Sequence, residues 1–298
     1  MVNCILIADS GSTKTDWILT TAENSILEVE TMGINPVRDS RDAIFDIIKN
    51  HLAPQLPAEY KIDQIFFYGA GCIEPYKKNV AEVLISIFGP DTEIAVESDL
   101  LGAARALCGN QAGIACILGT GSNSCLYDGK EIIGNTSPLG YILGDEGSGA
   151  FLGKTLVGNI LKKIFSQKLQ DCFFKRYDLT PSIIINKVYR EPMPNRFLAS
   201  LVPFLATYRE EPEIHDMLIW AFRQFFVRNV KAYGHPEMEI NCVGSIAFYF
   251  TDEITEAAAK EGLKMGKILQ KPAKELAFFH RKAPFWGQKC KKKAKYVI

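Results

Sequence analysis

The sequence contains no run of about 20 apolar residues, the length that a membrane-spanning helix needs. Its first residues lack the basic flank and the small-residue cleavage site of an export signal, and they are typical of a first strand instead. Apolar residues make up 47% and charged residues 23% of the chain, which excludes global disorder. We therefore expect a cytoplasmic protein with no membrane contact, long enough at 298 residues for two domains.

Metal-binding patterns are missing as well. The eight cysteines include no C-x-x-C pair and the four histidines show no metal-ligand spacing, so a zinc site is not expected. Five cysteines lie beside apolar, strand-like runs, which is typical of buried thiols in a reducing compartment: Cys4, Cys72, Cys116, Cys125 and Cys242.

The charge balance indicates no general affinity for nucleic acid. Acids and bases are equal at 34 each, but seven of the bases and no acid fall in residues 281–298. The rest of the chain has 27 bases against 34 acids, a net charge of −7, which disfavours a nucleic-acid partner. A basic end of this length is typical of a solvated tail.

Two widespread nucleotide-binding motifs are absent, the P-loop pattern G-x-x-x-x-G-K-[ST] and the dinucleotide pattern G-x-G-x-x-G. Three glycine-containing turns are present instead, each after an apolar strand: Asp9-Ser10-Gly11-Ser12-Thr13, Gly119-Thr120-Gly121-Ser122-Asn123 and Gly244-Ser245-Ile246-Ala247. A glycine there lets the backbone approach a ligand, and nearby N–H and hydroxyl groups can donate to phosphate oxygens. One such turn alone is an ordinary hairpin turn, whereas three after three strands predict a phosphate-binding site.

Two of these turns belong to a repeated pattern. Predicted strands 4–8 and 16–20 flank the first turn, and predicted strands 114–118 and 125–127 flank the second, 110 residues later. Both hairpins open a β-β-β-α-β-α series, so we predict a duplicated unit. From residue 154 to about 230 the apolar spacing is mostly helical, which predicts a helical insertion in the second copy.

Together these motifs resemble those of the actin-like ATPase and sugar-kinase superfamily. Asp9-x-Gly11-x-Thr13 and Gly119-Thr120-Gly121-Ser122 are similar to its two phosphate segments, and Gly244-Ser245 is similar to its adenosine segment. The segment Gly144-Asp145-Glu146-Gly147-Ser148-Gly149, which follows the second turn, resembles the N-acetylglucosamine kinase branch, grouped with the BadF/BadG-type ATPases. The resemblance extends from about residue 4 to about residue 281.

The resemblance implies an α/β fold of two RNase H-like domains, as in actin-like ATPases and hexokinases, with ATP in the interdomain cleft. The expected limits are 1–107 for the N-terminal domain, 108–282 for the C-terminal domain with its helical insertion, and 283–298 for a basic tail. The implied activity is transfer of the γ-phosphate of ATP, with Mg²⁺, to a hydroxyl (O6) of an amino sugar such as N-acetylglucosamine. The implied partner is a small sugar, and a homodimer is compatible with the resemblance.

Asp99 is the candidate base. It follows the predicted strand 92–96 and begins a helix, where its carboxylate can take the proton of a sugar hydroxyl that attacks the γ-phosphate. From the residues alone, a helix N-cap is the better interpretation of an Asp at this position. Its match to the base of sugar kinases in this family favours the catalytic role.

The resemblance also implies the binding residues. The nucleotide would contact Asp9, Gly11, Ser12, Thr13, Lys14, Gly119, Thr120, Gly121, Gly244 and Ser245, with Asp9 reaching Mg²⁺ through water. The sugar would contact Asn35, Ser122, Asn123 and Asp145. Lys14 is equally well explained as an exposed turn lysine, and Asp16 is interpreted as a polar strand residue. We expect Asp145, between glycines, to be a constrained and partly buried acid.

Alternatives stay open. Animal members of the branch carry a tryptophan where this chain has Leu139, so glucosamine or another hexose is an alternative substrate. A BadF-like ATPase would drive a partner protein, often through a cysteine-ligated iron–sulfur cluster, for which these cysteines are not arranged. A sugar sensor would bind without reacting, and the presence of Asp99 argues against it.

Overall fold

The computed structural model describes residues 2–11, 13–21 and 24–282. The chain forms two compact units, and the first comprises the described residues up to Gly102 together with those from Ala273 onward. The second unit runs from Ala103 to Pro272. The predicted basic tail, residues 283–298, lies outside the described residues.

The first unit is built on a mixed five-stranded sheet. Its strands are β1 (Val2–Ser10), β2 (Lys14–Thr20), β3 (Ser25–Met32), β4 (Tyr60–Gly69) and β5 (Glu93–Ser98). The order in the sheet is β3-β2-β1-β4-β5; β1 to β3 are antiparallel, and β1, β4 and β5 are parallel. The helices are α1 (Arg41–Asp46), continued by a π-helical turn (Ile47–Leu52) and a 3₁₀ turn (Ala53–Gln55), and α2 (Lys77–Phe88). Helix α3 (Asp99–Cys108) begins in the first unit, and its residues from Ala103 onward belong to the second.

Protein covers both faces of β1. Ile5 and Ile7 are as buried as Cys4 and Leu6, although side chains alternate between the two faces along a strand. A strand buried on both faces has a continuous apolar sequence, which explains why residues 4–8 show no polar alternation. On β2, the buried indole of Trp17 donates to the hydroxyl of Thr31 at 2.9 Å, which satisfies the one polar group of this ring.

The second unit repeats the same topology. Its strands are β6 (Gly113–Leu118), β7 (Ser122–Tyr127), β8 (Ile132–Thr136), β9 (Glu239–Val243) and β10 (Lys264–Leu269). The order β8-β7-β6-β9-β10 reproduces that of the first sheet, with an antiparallel meander followed by two parallel strands. The predicted duplication of a β-β-β-α-β-α unit is therefore confirmed. The five cysteines that lie in or near the strands are buried free thiols, as predicted.

Helices occupy most of the region between β8 and β9, as the apolar spacing predicted. They are α4 (Gly140–Leu143), α5 (Gly149–Leu161), α6 (Gln167–Tyr177), α7 (Pro181–Tyr189), α8 (Pro194–Ala199), α9 (Val202–Thr207) and α10 (Pro212–Phe225). A π-helical turn (Phe226–Val230) and a 3₁₀ turn (Lys231–Tyr233) extend α10, and α11 (Ser245–Tyr249) and α12 (Thr251–Lys260) follow β9. No helix in the described part of the chain is long and apolar enough to cross a membrane.

The last helix, α13 (Ala273–Lys282), returns to the first unit, whereas the expected limits assigned residues 108–282 to one domain. It packs against β1 and β2, and His280 stacks on Phe66 of β4 with ring centroids 3.7 Å apart. The hydroxyl of Tyr68 and Nε2 of His280 lie 2.8 Å apart in a buried hydrogen bond. These contacts with a sheet more than 200 residues upstream keep α13 with the first unit.

Candidate active site

In the first unit, three parallel strands end at one edge of the sheet. Ser10, the last residue of β1, is in register with Gly69 of β4, and Gly69 is in register with Ser98 of β5. The β1–β2 turn, the loop after Gly69 and residue Asp99 therefore follow the strands at the same edge. The carboxyl ends of strands in such α/β sheets are the usual position of ligand-binding loops.

The β1–β2 turn is fixed by backbone contacts and one buried hydroxyl. The Ser10 hydroxyl donates to the carbonyl oxygen of Ile34 at 3.0 Å and accepts the N–H of the same residue at 2.9 Å. Gly11 donates its N–H to the Lys14 carbonyl at 2.9 Å, and a Cβ at Gly33 would collide with the Gly11 carbonyl oxygen. This close approach leaves room only for glycine at position 33 and holds the turn against the chain that follows β3.

The structure gives the predicted phosphate ligands of this turn different environments. Thr13 is exposed and Gly11 is half-buried, whereas Ser12 lies outside the described residues. The Lys14 ammonium is 2.7 Å from Oε2 of Glu30 and 3.7 Å from Oδ1 of Asp16. Lys14 is therefore paired with acids of its own sheet, and its contact with phosphate stays a prediction.

Two carboxylates face each other across the β1–β2 hairpin. Asp9 is in register with Asp16, and residues directly opposite on antiparallel strands present their side chains to the same face. Carboxylate oxygens are the ligands that Mg²⁺ prefers, and Mg²⁺ sites commonly use one or two carboxylates completed by water and substrate phosphates. The donor set fits Mg²⁺, and Asp16 joins Asp9 as a candidate although the sequence favoured a polar strand residue. Among the described residues, no group of three or more His, Cys, Asp or Glu side chains could hold a metal.

Asp99 begins α3 without serving as its cap. The Ser98 hydroxyl accepts the N–H of Leu101 at 3.2 Å, which is the capping bond of this helix. Oδ1 of Asp99 accepts the adjacent N–H of Leu100 at 2.9 Å. Burial raises the pKa of the Asp99 carboxyl, although backbone N–H groups lower it in part. The carboxyl is thus more basic than an ordinary Asp, and the competing N-cap role belongs to Ser98.

Asn35, a predicted sugar ligand, lies beside the loop that follows β4. A Cβ at Gly71 would collide with the Asn35 side-chain oxygen, which accepts the N–H of Val37 at 3.1 Å. The Asn35 backbone N–H donates to Oδ2 of Asp39 at 2.7 Å. These bonds fix the amide in a turn at the same sheet edge as Asp99.

In the second unit, the β6–β7 turn is joined to the start of α5. Gly119 donates its N–H to the Gly121 carbonyl at 2.9 Å. The first turn of α5 donates back, from Gly149 to the Gly119 carbonyl at 2.8 Å and from Ala150 to the Thr120 carbonyl at 3.0 Å. The turn is thereby held rigidly, which is a requirement for precise placement of its backbone groups around an anion.

The third predicted turn packs directly on this one. Gly244 has φ +123°, and a Cβ there would collide with the Leu118 carbonyl oxygen and lie 3.3 Å from the Gly119 nitrogen. Its N–H donates to the Leu269 carbonyl at 3.0 Å. Ser245 follows at the exposed start of α11. The structure therefore brings together the two glycine turns of the second unit, at the carboxyl ends of β6 and β9.

Asp145 faces the same turn. Its side chain is only 9% exposed, its φ is +54°, and its Oδ1 accepts the N–H of Ser122 at 3.4 Å. The pKa of Asp145 is raised to about 6, mainly by burial and further by the Glu146 charge, while the Ser122 N–H and Lys154 lower it in part. The predicted constrained, buried acid is confirmed, while its contact with a sugar stays a prediction.

The other predicted sugar ligands lie on β7. Ser122 is buried, and its backbone N–H points to Asp145 as described. Oδ1 of Asn123 accepts the N–H of Ser124 at 2.9 Å and the side-chain amide of Asn135 at 3.0 Å. Asn123 and Asp145 therefore flank one end of β7. Glu146 follows Asp145 and accepts a hydrogen bond from the side-chain amide of Asn229 at 3.2 Å; the sequence analysis selected neither residue.

The chain is similar to several solved structures. A candidate N-acetylglucosamine kinase from Porphyromonas gingivalis is 44% identical, with 93% of this chain and 98% of that chain covered and a TM-score of 0.90. The chain belongs to the N-acetylglucosamine kinase-like family. No protein-family model and no curated protein matches the sequence. The family predicted from the glycine turns and the Gly144–Gly149 segment is therefore confirmed by structure.

More distant likenesses concern the fold. A candidate N-acetylglucosamine kinase from Chromobacterium violaceum is 18% identical, with 93% and 99% of the two chains covered and a TM-score of 0.73. A ROK hexokinase from Thermus thermophilus is 12% identical, with 93% and 96% covered and a TM-score of 0.55. These likenesses and the two repeated sheets confirm the predicted α/β fold of two RNase H-like domains.

Proposed function

We propose that this chain is an ATP-dependent kinase that phosphorylates a hydroxyl, O6, of an amino sugar such as N-acetylglucosamine. Asp99 carries the proposal, since it directly follows β5 at the edge where the parallel strands end, has a carboxyl of raised pKa and is not needed as a cap. The 44% sequence identity with a candidate N-acetylglucosamine kinase supports an amino sugar as the substrate.

In this proposal Asp99 is the general base. Its carboxylate takes the proton of the sugar hydroxyl while that oxygen attacks the γ-phosphorus; the bond from phosphorus to the bridging oxygen breaks, and ADP leaves. A carboxylate whose pKa is raised by burial accepts a proton more readily than an ordinary Asp. Asn35, Ser122, Asn123 and Asp145 are assigned to the sugar, because amide and carboxyl groups can bind paired hydroxyls.

The glycine turns are assigned to the nucleotide. Backbone groups of Gly11, Thr13 and Gly119–Gly121 suit phosphate oxygens, with Ser12 and Lys14 as further predicted contacts, and Gly244 and Ser245 are assigned to the adenosine. Asp9 and Asp16 would hold Mg²⁺, directly or through water. When bound, Mg²⁺ neutralises phosphate charge. The protein's own groups orient the phosphates and remove the hydroxyl proton.

The test is a panel of sugars in a coupled ADP-release assay, with N-acetylglucosamine, glucosamine, glucose and the 6-deoxy form of N-acetylglucosamine. We expect ADP release only with a sugar that has a 6-hydroxyl, and a kcat at least about 100-fold lower in Asp99→Asn. Asp91→Asn, an exposed carboxylate before the other end of β5, is the control and should keep full activity. ADP release without any sugar, or equal turnover of the 6-deoxy sugar, would contradict the proposal.

A further inference from the structure

Asn229 lies in the π-helical turn that extends α10, with only 4% of its surface exposed. From Met217 to Val230 the buried side chains recur every four residues. In a regular α-helix, four residues rotate by about 40° more than one full turn, so a repeat of four would gradually leave the buried face. The wider π turn rotates less per residue, so it returns positions 229 and 230 to the buried face. This local geometry points a polar amide into the interior beside the candidate sugar site.

The side chain of Asn229 is hydrogen-bonded to Glu146, the residue after Asp145. Its Nδ2 donates to Oε2 of Glu146 at 3.2 Å, and Nη1 of Arg228 lies 3.4 Å from Oε1 of the same carboxylate. Glu146 is 7% exposed, so these two donors satisfy a carboxylate that would otherwise be costly to bury. Gly147, the next residue, packs against Phe225 at the end of α10.

The backbone carbonyl of Asn229 is hydrogen-bonded to Ser124, the residue after Asn123. The Ser124 hydroxyl donates to the Asn229 carbonyl oxygen at 3.3 Å. That hydroxyl also lies 2.8 Å from the Tyr233 hydroxyl, which accepts the N–H of Thr136 at 3.1 Å. Each group in this chain donates to the next: the Thr136 N–H to the Tyr233 hydroxyl, that hydroxyl to Ser124, and the Ser124 hydroxyl to the Asn229 carbonyl.

We propose that Asn229 is a positioning residue that sets the spacing between Asn123 and Asp145 in the sugar site. One residue on the π turn contacts the neighbours of both candidate sugar ligands, Ser124 through its carbonyl and Glu146 through its amide. Asp145 stands in a left-handed conformation, which costs free energy in a non-glycine residue and persists only when neighbouring bonds impose it. The Asp145 backbone is held by its N–H bond to the Pro138 carbonyl at 2.9 Å and by the Ser148 N–H at 3.1 Å, and the anchored Glu146 restrains the next residue. The expected effect of Asn229 on sugar turnover rests on the proposed function, whereas its expected effect on the structure of the two segments does not.

The decisive variant is Asn229→Asp, which keeps the shape and replaces the donor with a second carboxylate against Glu146. We expect the KM for the sugar to rise at least about tenfold, the KM for ATP to change less than about twofold, and hydrogen exchange to accelerate in residues 119–124 and 144–150. Glu146→Gln added to Asn229→Asp restores a donor–acceptor pair with reversed polarity, and it should recover most of the lost sugar affinity.

The matched control is Asn186→Asp, which alters a similar amide-to-carboxylate bond (3.0 Å to Glu191) on the exposed surface of α7. It should leave both KM values and both exchange rates unchanged. An unchanged sugar KM in Asn229→Asp, an equal rise in both KM values, or no rescue in the double variant would overturn the positioning role. If the wild-type protein phosphorylates no sugar, the proposed function fails, and hydrogen exchange in the two segments decides the positioning claim by itself.

Discussion

Ser98 caps helix α3, and Asp99, the next residue, is left out of the cap. The Ser98 hydroxyl accepts the N–H of Leu101 at 3.2 Å, whereas the Asp99 carboxyl accepts the N–H of the adjacent Leu100 at 2.9 Å. Two adjacent polar residues are thus separable, one as the cap of α3 and the other as the candidate base where the parallel strands end.

The first prediction uses that separation. Ser98→Ala should lower the free energy of unfolding by about 1 kcal/mol, because α3 loses its capping bond. Asp99→Asn should not lower it, because burial disfavours the charged carboxylate that the substitution removes. Urea denaturation checks both values. A larger loss of stability in Asp99→Asn than in Ser98→Ala would mean that Asp99 is a structural residue.

The second prediction concerns pH and Asp145. Its pKa of about 6 lies above the ordinary Asp value of 3.8, so the folded protein binds more protons than the unfolded chain between about pH 4 and 6. Stability should therefore fall as pH rises through this window, by roughly 3 kcal/mol at the limit of the shift.

Asp145→Asn, which cannot ionise, should remove that fall. Urea denaturation at pH 4 and pH 7.5 measures the difference for both proteins, and Asp128→Asn, an exposed Asp whose pKa is lowered by backbone N–H groups, serves as the comparison. The same slope in the wild type and in Asp145→Asn would show that another group titrates in this window.

The glycine turns could be predicted from the sequence because their signal is local. Gly11, Gly121 and Gly244 stand directly after apolar strands, and the repeat at a spacing of 110 residues predicted the duplicated unit that the two sheets show. The positions of strands β8 and β10 were not predicted, since both lie at sheet edges and carry half-exposed side chains with little apolar pattern.

The supports of the site could not be predicted in the same way. Asn229 contacts Glu146 across 83 residues and Ser124 across 105, and such pairings depend on the fold rather than on neighbouring sequence. The pairing of Lys14 with Glu30 follows from the register of β2 and β3, which the sequence alone does not determine. The one available signal for Asn229 was a polar residue within a four-residue apolar repeat.

The third prediction tests the contact between the two glycine turns of the second unit. Gly244→Ala should destabilise the protein by about 2 kcal/mol or more, because a Cβ would collide with the Leu118 carbonyl and φ is +123°. Gly158→Ala is the control, since a Cβ there meets nothing within 4 Å among the described residues and the position lies inside α5. It should stabilise by about 0.5–1 kcal/mol. A destabilisation in the control, or none in Gly244→Ala, would contradict the packing.

The fourth prediction concerns the bond that joins α13 to the first sheet. Tyr68→Phe removes the hydroxyl 2.8 Å from Nε2 of His280 and leaves the histidine without this partner in a buried place. The free energy of unfolding should fall by about 1–2 kcal/mol.

Tyr60→Phe is the matched control, because the Tyr60 hydroxyl makes no hydrogen bond within the described residues, and its change should stay below about 0.5 kcal/mol. Since Tyr68 also packs on Gly102, three residues beyond Asp99, a fall in kcat that accompanies the lost stability would show that α13 helps to hold α3 in place. Equal stability of the two variants would mean that the aromatic stacking of His280 on Phe66, rather than the hydrogen bond, fastens this helix.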